Sequence, residues 1–361
     1  MTLMQMRMTI MEQRKKNKKV LLGLSGGVDS TAAALLLSEK GYDVTGYYFD
    51  INGKNTAGAL EAAALAENLG IDLITEDVSE EFSACVIDNF CKEYASGRTP
   101  NPCVICNPMI KFRKLAERAD EIGAFYIATG HYCRIFEDGE TGLFYPQKAV
   151  NIKKDQSYML YRLGQDILRR VIFPLGDFED KEQIRQIARS GEMENAEKKD
   201  SLEICFIQQD TSHSDFIEKT GYPMRPGNFT DSKGNVIGRH KGIASYTVGQ
   251  RKGLGVALGR PAYVTSIDAE QNRVILGSNE DLFKKEVVSE QNFFTGISPK
   301  HFEGRKLTAK IRYTSKGGSA FIKVCDKKII TTFEEPQRAP APGQSIVFYD
   351  GDVVVGGGFI I

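Results

Sequence analysis

The sequence predicts an α/β protein: an N-terminal doubly wound parallel sheet, a small β-rich central domain, and a C-terminal β-barrel. Three observations carry this. From Val20 to about Ile207 short β-branched or aromatic runs alternate with helical stretches, the pattern of βαβ units. Beyond Phe206 the chain turns to short strands separated by Gly, Pro and Asn-rich turns such as Asp231 to Asn235, with no long amphipathic helix. At 361 residues the chain also exceeds one ordinary domain.

The elements follow in order. Val20 to Leu24 reads as the first strand, and Ser30 to Lys40 as an Ala/Leu-rich helix stopped by Gly41. Val44 to Phe49 is a strand, Ala57 to Asn68 a helix ending at Gly70, Asp72 to Thr75 a strand and Ser79 to Ala95 a helix. Pro108 to Ile122 is a helix with Pro in its first turn, Phe125 to Thr129 a strand running into Gly130-His131, and Lys181 to Arg189 a further helix. Tyr263 to Gly277 reads as a hairpin closing one module and Leu307 to Ile361 as a small barrel, so the tail divides near residue 282. The expected organisation is a basic extension over 1–19, a catalytic domain over 20–207, a central domain over 208–282 and a barrel over 283–361.

Composition narrows the class. With 41% hydrophobic and 26% charged residues the chain is neither disordered nor collagen-like. No apolar run approaches the ~20 residues of a spanning helix. Forty-seven Lys and Arg against 47 Asp and Glu exclude a uniformly basic nucleic-acid binder. The charge is nonetheless segregated: Arg14 to Lys19 holds five basic residues and no acidic one, and Lys284 to the end holds 12 basic against 8 acidic. Such segregation can steer a polyanion even when the total cancels. The seven cysteines are odd in number, unevenly spaced and preceded by no apolar export segment, so thiols of a reducing compartment and a cytoplasmic location are expected.

Between the first strand and first helix lies Gly23-Leu24-Ser25-Gly26-Gly27-Val28-Asp29-Ser30-Thr31. Ligands of doubly wound sheets bind at this edge, where glycines admit a phosphate and a helix N-terminus offers N–H donors. A Walker loop needs a Lys that is absent between Lys19 and Lys40, and G-x-G-x-x-G is also absent here. Ser-Gly-Gly-Val-Asp-Ser resembles instead the PP-loop of the ATP pyrophosphatases, which hold ATP by its pyrophosphate and transfer AMP to a substrate oxygen. Asp29 is then placed to assist Mg²⁺ or the phosphate network. The stretches Gly253 to Gly259 and Gly356-Gly357-Gly358 lack a following helix and read as a loop and a flexible or bulged strand end.

Cys103-Val104-Ile105-Cys106 has no second C-x-x-C partner for zinc. It follows Thr99-Pro100-Asn101-Pro102, so it reads as part of a Pro-rich loop and not as a redox motif opening a helix. Lys111 and Arg113 beyond it favour a thiolate, as do the basic residues before Cys205. Cys85, Cys91, Cys133 and Cys325 lack such a setting and are expected to be buried and inert.

Several motifs in order now accompany the loop: Gly97-Arg98-Thr99-Pro100-Asn101-Pro102 into Cys106-Asn107, Thr129-Gly130-His131-Tyr132, Lys154-Asp155-Gln156-Ser157-Tyr158, Lys199-Asp200-Ser201 into Ile204-Cys205-Phe206-Ile207, and Thr247 to Gly255. Together they resemble the tRNA-specific 2-thiouridylases over about residues 20 to 255, and the β-rich tail suits that family's C-terminal barrel. The resemblance implies that Gly23, Leu24, Ser25, Gly26, Gly27, Val28, Asp29 and Ser30 bind ATP, with Phe49 and Gly130 beside the adenine. It implies Cys106 as nucleophile and Cys205 as carrier of a persulfide. It places Asn101, Pro102 and Cys103 at the target base, and His131, Lys154, Asp155, Gln156, Arg312, Tyr313 and Gln344 at tRNA. Position 103, acidic in many members, is here Cys, and the segment Asp50 to Gly58 is shorter than in many relatives.

The chemistry so implied is 2-thiolation of the wobble uridine of Glu-, Gln- or Lys-type tRNA. ATP with Mg²⁺ adenylates the C2 oxygen and persulfide sulfur from a donor protein replaces it, giving 2-thiouridine, AMP and pyrophosphate. A monomer without membrane attachment is expected. A PP-loop ligase acting on a small molecule would account for the loop but not for Cys106, Cys205 or the β tail. A non-catalytic persulfide-carrying RNA-binding protein is disfavoured by the intact loop.

Overall fold

The computed structural model describes residues 17–53, 57–191, 204–208, 210–256 and 259–361. Most of the basic extension, the Lys199-Asp200-Ser201 motif, part of Asp50 to Gly58 and Ala257-Leu258 lie outside the described residues. The chain forms two compact units, one from the described residues up to Ser83 together with Ile105 to Gly191, the other from Ala84–Val104 and Ile204 onward.

The first unit is built on a parallel sheet with strand order β3-β2-β1-β4-β7. The strands are β1 (Lys19–Gly23), β2 (Asp43–Asp50), β3 (Leu73–Asp77), β4 (Tyr126–Thr129) and β7 (Val171–Ile172). Val20, Leu21 and Leu22 are all buried, as a central parallel strand covered on both faces requires. On one face Val20 and Leu22 pack with Ala32, Ala33 and Leu37 of α1 (Val28–Glu39), Leu65 of α2 (Ala57–Leu69) and Ile184 from a later helix. On the other, Leu21, Tyr47 and Ile127 pack with Phe112 and Leu115. Between β4 and β7 runs a hairpin of β5 (Arg134–Glu137) and β6 (Phe144–Gln147).

Two helices are longer than the sequence pattern suggests or are built differently. The run from Ser79 comprises α3 (Ser79–Phe82), a π turn (Ser83–Ile87) and α4 (Asp88–Ala95). The cysteine segment is helical from Pro102: α5 (Pro102–Cys106), a π turn (Asn107–Lys111) and α6 (Phe112–Glu121) follow without a break. The loop expected around Cys103 and Cys106 is thus the opening of a helix. Pro102 fits a first turn, where its missing N–H costs nothing, and the Asn101 side chain accepts from the Cys103 N–H at 3.2 Å. Pro108, which reads as a start signal, sits instead inside the helix. It cannot donate and would clash with a carbonyl one turn back, and the ladder widens to π spacing there.

Helix α6 is fixed to β3 by a partly buried ion network. Glu76 accepts from Tyr47 Oη and Arg118 Nε, each at 2.6 Å, and from Lys114 Nζ at 3.0 Å. Burial alone would raise the Glu76 carboxyl, yet these donors hold it down at about 2.

The second unit contains a small sheet and a barrel. α9 (His213–Lys219), capped by Ser212, is a short helix absent from the sequence reading, and it packs Ile217 beside Phe90 and Tyr94 of α4. The sheet has the order β10-β11-β8-β9, from β8 (Gly227–Thr230), β9 (Val236–His240), β10 (Tyr263–Asp268) and β11 (Arg273–Gly277), around Phe229, Tyr246, Val264 and Val274. The barrel joins β12 (Phe283–Phe294), β15 (Lys328–Arg338), β14 (Gly318–Cys325), β13 (Leu307–Lys310), β16 (Ser345–Asp350) and β17 (Val353–Ile360), which returns to β12. β12 closes the ring because an irregularity between Glu290 and Phe293, with Gln291 at φ 49°, turns its end from β15 toward β17. Gly356 and Gly358 are not a loose strand end. Each lies within β17, where a Cβ would sit 2.6 Å from Phe294 and 2.0 Å from Asn292.

Replacing Glu76 with Gln is expected to destabilise the first unit by roughly 3 kcal/mol near neutral pH, from the depressed carboxyl alone. The wild-type contribution is present above the ordinary pKa of 4.5 and lost as pH falls toward about 2, so denaturation curves of wild type and variant converge over that range. Curves that stay equally separated at both ends of it contradict the assignment.

Candidate functional site

The sheet changes direction between β1 and β4: the chain moves outward through β2 and β3, then returns to pair β4 on the other side of β1. The crevice at the carboxyl ends of these two strands is where such sheets bind ligands, and Gly23 to Ser30 occupies it. Gly26 adopts φ 72° and Gly27 caps α1 in an extended conformation. Ser30 and Thr31 hydroxyls donate to the Gly27 carbonyl at 2.9 and 3.1 Å, and the Ser25 N–H donates to Ser30 Oγ at 3.2 Å. These bonds fold the loop on itself ahead of any ligand. Leu24 and Val28 are buried and anchor the loop from below. Phe49, half-buried, stands edge-on to Tyr47 with ring centres 4.5 Å apart, and a Cβ on Gly23 would lie 3.5 Å from its ring.

Gly130 is required for a steric reason. A Cβ there would lie 3.0 Å from the Asp29 carbonyl carbon and 3.1 Å from the Ser30 nitrogen, so the chain leaving β4 crosses directly over the start of α1. Beyond it, Thr129 Oγ1 and His131 Nδ1 are 2.7 Å apart. Burial, and secondarily Lys111, holds the His131 imidazole well below its ordinary range, so it is neutral near pH 7.

The Asp29 carboxylate has two partners that sequence reasoning did not supply. Lys181 Nζ donates to Asp29 Oδ1 at 2.5 Å and Tyr132 Oη donates to the same oxygen at 2.7 Å, while the ammonium lies 5.6 Å from the Tyr132 ring centre. Lys181 opens α8 (Lys181–Ser190), whose N-cap is Asp180, and it is buried. The loop that lacks a Walker lysine therefore has a lysine brought to it from about 150 residues away in the chain. A Lys at the first position of an amphipathic helix reads as surface, which is why the signal was missed.

The cysteines separate by exposure. Cys103 and Cys205 are exposed and Cys106 is half-buried. Cys205 is flanked by Ile204 and Phe206, both packed into the cluster around Phe90, with the Phe206 and Phe90 rings 5.3 Å apart. The neighbours anchor the segment and the thiol faces outward. Cys91 and Cys133 are buried, and burial raises both thiols, as the inert reading expects. Cys85 and Cys325 are half-exposed, against that expectation, because each lies on an element with one face open.

Several residues expected at tRNA also make bonds that hold the fold. Asp155 is buried and accepts from the Ala149 N–H, the Ser157 N–H and the Ser157 hydroxyl, so it shapes the turn that carries Lys154. Gln156 Oε1 accepts from the Tyr132 N–H at 2.9 Å. The Arg312 guanidinium donates to the Val248 carbonyl at 3.0 Å and to that of Ala339, joining two loops of the second unit. Gln344 donates to the Thr99 and Pro100 carbonyls at 3.0 and 3.3 Å. Lys154 and Tyr313 are partly exposed, as is Asn101, while Pro102 is buried. Among the described residues no group of three or more His, Cys, Asp and Glu side chains is placed to hold a metal ion.

Residues 18–209 match the model described as a tRNA methyl transferase HUP domain, 214–278 a tRNA methyl transferase PRC-barrel domain, and 285–360 an aminomethyltransferase beta-barrel domain. The tRNA-specific 2-thiouridylase MnmA of Clostridium acetobutylicum is 45% identical over 358 residues, covering 95% of this chain and 99% of that protein. The chain belongs to the tRNA-specific 2-thiouridylase family. Other 2-thiouridylases agree at 47% identity, from Lachnoclostridium phytofermentans (95% of this chain, 99% of that one) and Caldanaerobacter subterraneus subsp. tengcongensis (95% and 98%). The 2-thiouridylase fold is thus an α/β N-terminal sheet, a small central module and a closed six-stranded barrel.

In this 2-thiouridylase, Gly130→Ala is expected to force the β4 exit away from α1, costing about 1–3 kcal/mol and weakening nucleotide binding together. Thermal melts with and without ATP check this; a variant that keeps both its melting temperature and its ATP-dependent shift contradicts it.

Proposed function

We propose that the chain is a tRNA-uridine 2-sulfurtransferase that uses ATP to activate the C2 oxygen of the wobble uridine and replaces it with persulfide sulfur. The observation that carries this is a phosphate loop without a Walker lysine, set at the switch point of a chain that spans the full length of the 2-thiouridylases. Thiolation is favoured over methyl transfer because the relatives that cover 95% of this chain are 2-thiouridylases.

A uracil C2 oxygen is a poor leaving group, and an adenylated one leaves readily. Gly23 to Ser30 would hold ATP, with Phe49 and Gly130 bordering the adenine. The substrate oxygen attacks the α-phosphorus, forming an O–P bond as pyrophosphate departs. Mg²⁺ bound to the phosphates would supply charge neutralisation, and the Asp29 carboxylate and Ser30 hydroxyl are the side-chain oxygens at the loop that fit it. Lys181 balances the Asp29 charge before ATP arrives and adds a cation at the phosphates afterwards.

The terminal sulfur of a Cys205 persulfide then attacks C2. Cys106 thiolate attacks Cys205 Sγ, the S–S bond breaks toward the C2-bound sulfur, AMP carries away the original oxygen, and a Cys106–Cys205 disulfide remains for a thiol reductant to reopen. The outward-facing Cys205 suits receipt of sulfur from a cysteine desulfurase or relay carrier. Asn101, Pro102 and Cys103 would border a base taken out of its stack. His131, Lys154 and Tyr313 remain candidates for tRNA contact, with Asp155, Gln156 and Arg312 acting through the loops they brace. Residues 20–207 would then carry the chemistry, and 208–282 and 283–361 the tRNA. A monomer in the cytoplasm, where tRNA and reductant are available, fits this chemistry.

Cys205→Ser should abolish 2-thiouridine formation while tRNA-dependent pyrophosphate release continues; wild-type 2-thiouridine by nucleoside mass spectrometry would sink the assignment. Affinity for tRNA should fall steeply with salt and by about tenfold in Lys310→Glu, a site preferable to Arg312, whose guanidinium braces the fold. A flat salt response contradicts an electrostatic interface.

A further inference from the structure

Gly97 to Asn101 connects α4 to the helix that bears Cys103; its ends bond locally, but Thr99 and Pro100 in its middle do not. The Thr99 N–H donates to the Pro342 carbonyl at 2.7 Å. The Gln344 side-chain amide donates to the carbonyls of both Thr99 and Pro100. Both backbone groups of Thr99 therefore end on the 341–344 turn of the barrel. That turn is itself rigidly held: the Gly343 N–H donates to the Ile360 carbonyl at 2.9 Å and the Ile360 N–H donates to the Gln344 carbonyl at 2.8 Å.

Shape supports the same contact. Gly343 has φ 88°, and a Cβ there would lie 2.9 Å from the Thr99 nitrogen and 3.0 Å from both Arg98 Cβ and Glu93 Oε2. Arg98 is fixed in turn by Glu93 at 2.8 Å. At the other end Gly97 adopts φ 69° and presses on β10, where a Cβ would lie 2.6 Å from Ile267. The connection is thus gripped by the central sheet at Gly97 and by the barrel at Thr99 and Pro100. Two prolines flank Asn101, whose side chain caps the helix at Cys103.

We propose that the barrel sets the position of the Asn101–Cys103 segment, with Gln344 and Gly343 as positioning residues that act through Thr99 and Pro100. This rests on the reading of that segment as the border of the target base. It assigns Gln344 to orientation of the catalytic helix and not to direct contact with tRNA, and it gives the barrel a part in the chemical step. An error of about 1 Å in such a segment can cost on the order of 100-fold in rate.

The test uses the full chain with Gln344→Met, which keeps length and neutrality but removes both donors, and Gly343→Ala, which crowds Thr99 without altering any group that RNA could read. Three quantities are measured: single-turnover thiolation rate at saturating tRNA and ATP, tRNA Kd, and amide hydrogen exchange over residues 97–104. Both variants are expected to lose about 10- to 100-fold in rate with Kd within about twofold, and to exchange faster at Thr99 and Cys103. If Gln344→Met weakens tRNA binding as much as it slows thiolation and leaves exchange unchanged, Gln344 is an RNA contact and the proposal fails. Unchanged rate and exchange in Gln344→Met overturn it equally, even if Gly343→Ala does not fold. Should the wild type make no 2-thiouridine, the functional reading fails by itself, and the exchange measurement still decides the clamp.

Discussion

The first unit depends on one carboxylate. Asp29 sits in the opening turn of α1, where the helix dipole already favours a negative charge, and its Oδ1 is shared by Lys181 and Tyr132. Those two donors come from the start of α8 and from the chain just beyond β4, so one oxygen ties together the phosphate loop, the β4 exit and a distant helix. Gly130 lies over the same spot, and a Cβ there would crowd the Asp29–Ser30 backbone at 3.0 to 3.1 Å. A largely buried lysine paired in this way is costly to leave alone. An incoming polyphosphate offers a second set of anionic oxygens to the same cation. Binding and fold stability therefore share a contact.

The exposed cysteines rest on a different principle, exposure held in place by buried neighbours. Cys205 projects from a segment pinned by Ile204 and Phe206, and Cys103 from a helix whose first turn is pinned by Pro102 and capped by Asn101. Burial has instead raised the thiols of Cys91 and Cys133 out of use. The barrel and central sheet contribute rigidity to the second of these segments through Thr99, Pro100 and Gly97, so stretches far apart in sequence meet at the connection into α5.

Much of the fold was legible because its signals are local. The alternation of apolar runs and Gly-stopped helices places β1, α1, β2 and α2 within a few residues, and the Gly/Ser loop declares itself by context. What escaped depends on contacts between distant residues. Pro108 reads as a helix start and Pro102 as part of a loop, and only packing shows that Pro102 opens the helix while Pro108 is absorbed in a π turn. Lys181, Asp155, Arg312 and Gln344 are polar residues that sequence assigns to solvent or substrate. Three of the four are spent on bonds to groups more than 60 positions away, and Asp155 on the backbone of its own turn. The Gly356 to Gly358 run looks flexible in one dimension and is tightly packed in three.

In the proposed reaction this loop delivers AMP to the uracil C2 oxygen. It is tested most directly with tRNA carrying ¹⁸O at C2 of the wobble uridine, incubated with the enzyme, ATP and a persulfide donor, followed by mass spectrometry of the nucleotide products. The expected result is one ¹⁸O in AMP for each 2-thiouridine formed and none in pyrophosphate. Unlabelled AMP beside newly formed 2-thiouridine would contradict it.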